Sequence, residues 1–156
     1  SDLADTMGKF CARLAFRGSD LSLNAKEKKD DASLFQNNTE LMAITESLVF
    51  TDPYFNVERN HHTKGLDKIV QMLRGDSKMK LNVQHMLRKF TSNAETMCHG
   101  DLHSGSIMCT EQETRVIDPE FAFYGPFGFD LGMLMSNYLM AWKRRWWQEH
   151  LEDAPR

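Results

Sequence analysis

The sequence predicts an α+β fold that is mostly helical. Three observations support this class: apolar residues recur every three or four positions over much of the chain, short β-type segments follow, and a helical pattern returns near the end. With 156 residues, the chain is long enough to bury a hydrophobic core in one domain.

The first helix is predicted over residues 2–16, with Ser1 or Asp2 as its N-terminal cap. Its apolar residues form one stripe because their spacings alternate between four and three. The stripe consists of Leu3, Met7, Phe10 and Leu14. The polar, lysine-rich residues 18–38 that follow are predicted to form a solvated connection or a short exposed helix.

Three more helices are predicted before position 97. One begins at Asn38 and ends before Asp52, since a residue that precedes proline avoids the helical region. A weaker helix is expected over residues 60–75 and a stronger one over residues 78–96. The side chains expected to face inward are Leu41, Ile44 and Leu48 in the first of these helices and Leu81, Met86, Leu87, Phe90 and Ala94 in the last.

Short strands are predicted next, at residues 97–99, 107–109 and 114–117. The last two strands are expected to form a hairpin whose turn lies at residues 110–113. A loop rich in glycine and proline comes after the hairpin. Asp130 is then predicted to cap a final helix that runs from Leu131 to about Trp147.

The composition argues against several classes of partner. A formal net charge of −3, from 19 basic and 22 acidic side chains, gives no electrostatic reason to expect a nucleic acid. No apolar run approaches the ~18–20 residues of a membrane span, so no membrane association is expected. The three cysteines form no CxxC pair and indicate free thiols in a reducing compartment, which makes the cytoplasm the expected location.

The segment HGDLHSGS at positions 99–106 carries the first candidate site residues. Gly100 and Gly105 flank a run that is too irregular for a helix and too short for a strand. Glycine allows tight turns with positive φ, which suits a loop held against a ligand. Asp101 lies within this loop and is the candidate for orienting or deprotonating a hydroxyl group.

The segment DPE after the predicted hairpin carries the second group of candidates. Asp118 and Glu120 stand on either side of a proline that restricts their backbone. Two hard oxygen ligands with an open side suit Mg²⁺, which prefers carboxylates together with phosphate oxygens and water. If the hairpin folds as predicted, Asp101 faces these two carboxylates across a gap of substrate size, as phosphoryl transfer requires.

Other interpretations of these residues stay open at this stage. The three acids could be ordinary surface residues, and a metal-dependent hydrolase could use His99 and His103 with Asp118 and Glu120, although Gly100 argues against the helix that would place the two histidines together. A non-catalytic interaction module is the third alternative. Tightly held zinc would favour the hydrolase, whereas weak Mg²⁺ binding that tightens with ATP would favour phosphoryl transfer.

Three stretches together resemble one known family: HGDLHSGSI at positions 99–107, VIDPEFAFYGPFGFDLG at positions 116–132 and ELMAITESLVFTDPYF at positions 40–55. The combination resembles the S-methyl-5-thioribose kinases, within the aminoglycoside-phosphotransferase and choline-kinase branch of the protein-kinase-like fold. It extends from about residue 2 to residue 142. The remaining residues, up to 156, have no counterpart that we can place.

The resemblance implies an activity and its partners. It implies a transferase that uses ATP and Mg²⁺ to phosphorylate a sugar, 5-methylthioribose, at its 1-hydroxyl group in methionine salvage. Kinases of choline, homoserine or aminoglycosides share the same core and are the alternatives. A homodimer of the full-length protein is left open.

The resemblance also implies roles for individual residues. Asp101 is expected to be the catalytic aspartate, while Asp118 and Glu120 are expected to bind the Mg²⁺ that bridges the ATP phosphates. Ser106 stands where relatives usually place a metal-binding asparagine, so it is assigned to cofactor binding, with simple hydrogen bonding in the turn as the alternative.

Four further residues are expected to support this site. His99, Gly100 and Gly105 are expected to hold the loop, and Asp130 is expected to cap the last helix or to hydrogen-bond the loop. The resemblance makes residues 1–156 a part of the C-terminal large lobe of a kinase domain, whose small hairpin carries the catalytic loop. Because the chain contains no GxGxxG loop, the N-terminal nucleotide-clamping lobe is expected to be absent. The resemblance places the family's arginine pair, which meets substrate or phosphate, beyond the last residue of this chain, so the C-terminal tail is expected to be absent as well.

Overall fold

The computed structural model describes residues 2–35 and 38–151, and these ranges contain six α-helices and four short β-strands. The helices are α1 (Leu3–Arg17), α2 (Ala25–Phe35), α3 (Thr39–Thr45), α4 (Asp67–Gly75), α5 (Ser77–Ser92) and α6 (Gly128–Leu151). The strands are β1 (Thr96–Cys98), β2 (Ile107–Cys109), β3 (Thr114–Val116) and β4 (Phe123–Gly125). The predicted α+β class with mostly helical content is confirmed.

Helix α1 begins at its predicted cap. The Asp2 carboxylate accepts hydrogen bonds from the backbone N–H groups of Ala4 at 3.1 Å and Asp5 at 3.4 Å, which satisfies two of the donors that a helix start leaves unpaired. The alternative cap, Ser1, lies outside the described residues. At the other end of α1, the Thr96 hydroxyl donates to the Ala15 carbonyl at 2.7 Å and attaches the helix to β1.

The segment after α3 departs from a regular α-helix. It continues as a π-helical stretch, Glu46–Thr51, and then as a 3₁₀ turn, Asp52–Tyr54. The π-helical stretch buries Phe50, and the 3₁₀ turn buries Asp52. The prediction that Ile44 and Leu48 face inward is wrong, because both side chains are exposed, Ile44 in α3 and Leu48 in the π-helical stretch.

The predictions for helices α2, α4 and α5 are confirmed in part. Helix α2 is the predicted short exposed helix and buries none of its residues. Helix α4 ends at Gly75 as predicted but begins only at Asp67. Helix α5 buries Val83 and Phe90, whereas Leu81 and Met86 are exposed because only a narrow face of the helix is covered. Ala94 lies beyond its end.

The strands form two separate antiparallel pairs. The hairpin of β2 and β3 is the predicted one, and its turn is closed by the Thr110 N–H, which donates to the Glu113 carbonyl at 2.8 Å. The second pair joins β1 to β4, with Cys98 opposite Phe123. Strand β4 was not predicted, because its partner β1 lies far back along the chain and local pattern does not show the pairing.

Two buried clusters of side chains form the core. The first lies beneath the β1–β4 pair and contains Phe50, Val83, Phe90, Cys98 and Phe123. The second lies between α1, α6 and the loop after β1, and it contains Met7, Cys11, Leu102 and Leu134. Among the helices of residues 2–35 and 38–151, none combines the length and apolarity needed to cross a membrane.

Candidate active site

The loop between β1 and β2 is anchored by one buried side chain. Leu102 is fully buried in the second core cluster, while the side chains of Asp101 and His103 on either side are 39% and 38% exposed. In extended backbone, neighbouring residues point to opposite sides. Burial of Leu102 therefore turns Asp101 and His103 outward.

Gly100 brings this loop against the turn that carries Asp118 and Glu120. Its φ of +86° lies in the left-handed region, and a Cβ atom built on it would lie 2.0 Å from the carbonyl oxygen of Phe121. Any other residue would push the two segments apart. The predicted importance of this glycine therefore has a steric basis.

His99 connects the same two segments by hydrogen bonds. Its ring is buried, and Nε2–H donates to the Ile117 carbonyl at 2.9 Å while Nδ1 accepts from the backbone N–H of Asp101 at 3.3 Å. Ile117 immediately precedes Asp118, so one imidazole fixes the backbone at both predicted parts of the site. Both ring nitrogens are engaged, which disfavours His99 as a metal ligand in the hydrolase alternative.

Asp130 holds the start of the loop from α6. Its carboxylate accepts hydrogen bonds from the backbone N–H groups of His99 at 2.5 Å and Gly100 at 3.0 Å. Burial raises the pKa of Asp130, and the two N–H donors oppose that shift. The predicted helix cap is wrong, because α6 already begins at Gly128; the alternative, a hydrogen bond to the loop, is what the structure contains.

Ser106 and Gly105 close the far end of the loop. The buried Ser106 hydroxyl donates to the Asp101 carbonyl at 2.8 Å, and the Ser106 carbonyl accepts from the Ile117 N–H at 2.9 Å. The Gly105 N–H donates to Nδ1 of His103 at 2.9 Å. The turn hydrogen bond of Ser106 is therefore present, while its contact with a cofactor stays a prediction.

Asp118 has an unusual backbone. With φ 64° and ψ 56°, it is the one non-glycine residue with positive φ in the described part of the chain. Such a conformation costs about 1–3 kcal/mol and is tolerated best by aspartate and asparagine. It leads into the 3₁₀ turn Pro119–Phe121, which places the exposed side chains of Asp118 and Glu120 on one short turn.

Asn38 contributes to the site although its sequence position did not predict it. Its amide Nδ2 donates to the carbonyl of Glu120 at 2.8 Å and to that of Ala122 at 3.1 Å. The sequence suggested only a helix start, but the Asn38 side chain makes no capping hydrogen bond. Nearby, the Tyr124 hydroxyl donates to the Asp31 carboxylate at 2.6 Å, and burial raises the pKa of Tyr124.

The donor set at this turn fits Mg²⁺ better than a transition metal. Within residues 2–35 and 38–151, no cluster of three or more histidine, cysteine, aspartate or glutamate side chains is arranged to enclose a metal. Mg²⁺ does not need such a cage, because it binds through one or two carboxylates and completes its shell with phosphate oxygens and water. The exposed pair Asp118 and Glu120 offers that chemistry.

The comparison with known families gives one broad match. The model of the family described as "Phosphotransferase enzyme family" matches residues 5–155.

Curated relatives give closer matches, and all three described here are named methylthioribose kinase. The protein of Geobacillus sp. (strain WCH70) is 47% identical over 138 residues, which cover 88% of this chain and 34% of the relative. That of Escherichia coli O45:K1 (strain S88) is 44% identical over 144 residues, covering 92% of this chain and 34% of the relative. That of Bacillus pumilus (strain SAFR-032) is 44% identical over 154 residues, covering 97% and 38%. The chain thus spans little more than a third of the length of these relatives.

Proposed function

Because the chain belongs to the phosphotransferase enzyme family, we propose that it carries the catalytic loop and the metal-binding turn of an ATP- and Mg²⁺-dependent small-molecule kinase. The proposed substrate is 5-methylthioribose, phosphorylated at its 1-hydroxyl group in methionine salvage. The names of relatives 44–47% identical to this chain support that choice over choline, homoserine or an aminoglycoside.

One observation carries the proposal: the buried ring of His99 joins the Asp101 N–H to the Ile117 carbonyl. This bridge keeps the loop with Asp101 beside the turn with Asp118 and Glu120. A group that accepts a proton and a pair of carboxylates that holds a cation are the parts that phosphoryl transfer needs from this region.

The proposed chemistry assigns one task to each acid. Asp101 accepts the proton of the sugar hydroxyl as that oxygen bonds to the terminal phosphorus of ATP, and the bond from phosphorus to the departing ADP oxygen breaks. Asp118 and Glu120 would hold Mg²⁺, which when bound neutralises charge on the phosphates. Ser106 is proposed to contact the cofactor at the same edge.

The supporting residues act on the backbone of the loop. Gly100 permits close approach of the loop to the turn, and Gly105 leaves room beside His103. Asp130 accepts hydrogen bonds from two N–H groups of the loop. Since the chain spans about a third of its relatives, we further propose that it is a segment of the C-terminal large lobe of a kinase domain.

The test is a phosphorylation screen with a protein that contains this chain at the full length of its relatives. Methylthioribose, ribose, choline and homoserine are each incubated with ATP, with and without Mg²⁺. We expect Mg²⁺-dependent turnover that is fastest with methylthioribose. Preference for choline or homoserine would overturn the substrate, and phosphorylation of none of them would overturn the kinase function.

A further inference from the structure

His103 makes two contacts that its position in the loop does not by itself require. Its Nδ1 atom accepts a hydrogen bond from the Gly105 N–H at 2.9 Å. Its Nε2 atom lies 3.4 Å from Oδ2 of Asp101, the residue proposed to accept the substrate proton. Both side chains are somewhat more than a third exposed, so they border solvent together.

The contact with Gly105 determines which ring nitrogen carries the proton. A nitrogen that accepts a hydrogen bond has no proton of its own, so the neutral ring of His103 carries its hydrogen on Nε2. Gly105 is suited to this arrangement, since a Cβ atom there would lie 2.7 Å from Cε1 of His103. The protonated Nε2 is therefore the ring nitrogen that lies near the Asp101 carboxylate, although the two groups are not aligned as a hydrogen bond in this structure.

Burial of Leu102 explains why the two side chains meet. Asp101 and His103 flank a leucine that is fully buried in the second core cluster, and both are turned to the outer side of the loop. The backbone of Asp101 is already fixed by His99 and Ser106. Its carboxylate is the part that still needs to be oriented.

We propose that His103 is a positioning residue: its Nε2–H holds Oδ2 of Asp101 and leaves Oδ1 for the acceptor hydroxyl. This inference rests on the proposed function of Asp101. The distance of 3.4 Å exceeds that of a well-formed hydrogen bond, and catalytic contacts of this kind shorten when substrate is bound. In the competing role, His103 serves only the loop through Gly105.

Two isosteric variants separate these roles. The amide nitrogen of glutamine reaches the place of Nε2, and the amide oxygen of asparagine reaches the place of Nδ1. His103→Gln thus keeps the donor to Asp101, whereas His103→Asn keeps the acceptor for Gly105. In the full-length kinase we expect His103→Asn to lower kcat by about tenfold to a hundredfold, the scale of a misplaced catalytic group. His103→Gln should stay within about threefold of the wild type, with KM for ATP unchanged in both.

His61→Asn and His61→Gln, at an exposed histidine in the loop before α4, are the matched controls and should leave kcat unchanged. The reverse order, with His103→Asn active and His103→Gln impaired, would overturn the proposal. Equal kcat values for both His103 variants and the wild type would overturn it as well.

A second measurement does not depend on activity and uses the 156-residue chain. Two-bond ¹H–¹⁵N spectra at alkaline pH distinguish the protonated from the unprotonated ring nitrogen. We expect the proton of His103 on Nε2, and we expect Asp101→Ala to move the Nε2 resonance more than that of Nδ1. A proton on Nδ1 would overturn the inference, and so would an Nε2 chemical shift that is the same in Asp101→Ala as in the wild type. If the full-length protein phosphorylates no substrate while these spectra agree with expectation, the proposed function fails and the contact stands.

Discussion

Asp101 is held on three sides by different chemical groups. Its N–H donates to His99, its carbonyl accepts from the Ser106 hydroxyl, and its carboxylate lies beside His103. Such preorganisation suits a group that must accept a proton in one geometry. The side chain itself is only partly buried, so a substrate can reach it.

Replacing the carboxylate tests its role directly. Asp101→Asn keeps the size of the side chain but removes its ability to accept a proton, so we expect kcat of the full-length kinase to fall by about 10²–10⁴-fold. ATP affinity, measured by calorimetry, should change little. Asp30→Asn, on the exposed helix α2, is the control and should keep wild-type turnover. Near-normal kcat in Asp101→Asn would refute the assigned role.

Asp118 combines a strained backbone with an exposed carboxylate, and two variants separate these properties. Asp118→Asn keeps a residue that tolerates φ 64°, so the free energy of unfolding should change little. The half-saturating Mg²⁺ concentration should rise by about tenfold or more, since one charge-assisted contact is worth about 1.5–3 kcal/mol.

Asp118→Ala should lose the same Mg²⁺ affinity and, in addition, about 1 kcal/mol of stability, because alanine disfavours a left-handed backbone. Urea denaturation measures the stability and an Mg²⁺ titration of activity measures the affinity. Unchanged Mg²⁺ dependence in both variants would show that Asp118 holds no cation.

At the scale of elements, two helices that are far apart in sequence restrain the backbone of the site. Helix α6 contributes Asp130, whose carboxylate accepts hydrogen bonds from two N–H groups of the loop. The residue before α3, Asn38, contributes its side-chain amide, which donates to the carbonyls of Glu120 and Ala122. The loop and the turn are therefore positioned by elements far apart in sequence.

The buried carboxyl group of Asp130 predicts a specific pH dependence of stability. Because burial raises its native pKa above the ordinary value of about 3.9, the native state binds more protons than the unfolded state between these two values. Stability therefore falls as the pH rises through that window. Relative to Asp130→Asn, which does not titrate, the wild type should lose free energy of unfolding from about pH 4 upward and then level off.

Denaturant unfolding of both proteins at a series of pH values measures this difference. All other titratable groups are present in both proteins, so their contributions cancel when the free energy of unfolding of Asp130→Asn is subtracted from that of the wild type. A wild type that gains stability relative to Asp130→Asn over the same range would show that the two N–H donors, rather than burial, dominate the pKa of Asp130.

At the scale of the whole molecule, the final helix extends past the core. Leu134 is its buried residue in the second core cluster, whereas residues 138–150 are all exposed. This exposed half includes three tryptophans, Trp142, Trp146 and Trp147, with relative exposures of 61%, 36% and 54%. The family resemblance in the sequence was expected to end at about residue 142, but the family model matches up to residue 155.

We expect the 156-residue chain alone to show no measurable phosphorylation of methylthioribose. Its sequence holds the acids of the site but no glycine-rich loop to clamp the ATP phosphates, and positioning supplies most of the catalysis in phosphoryl transfer. Parallel assays of this chain and of a protein with the full length of its relatives measure the difference. Turnover by the chain alone would show that phosphate clamping resides within these residues.

Local sequence pattern was sufficient to predict most elements, and it also supplied the candidate site residues, whose roles stay predictions. Spacing and turn chemistry predict the apolar stripe of α1, the hairpin of β2 and β3 and the cap at Asp2. These features depend on residues that are close together in sequence. The glycine-framed HGDLHSGS segment and the DPE turn were identified for a similar reason. The residue types within each short segment suggest a function without knowledge of any contact to a distant part of the chain.

The tertiary structure alone decided which residues hold those segments together. The pairing of β4 with β1, the double hydrogen bond of Asn38 and the contact of Gly100 with Phe121 all join positions remote in sequence. Asp130 shows the same limit, since its pattern suggested a local cap while its carboxylate reaches across to the loop. A buried polar side chain forms hydrogen bonds with whichever polar groups the folded chain places next to it. The local sequence pattern does not show which distant groups those will be.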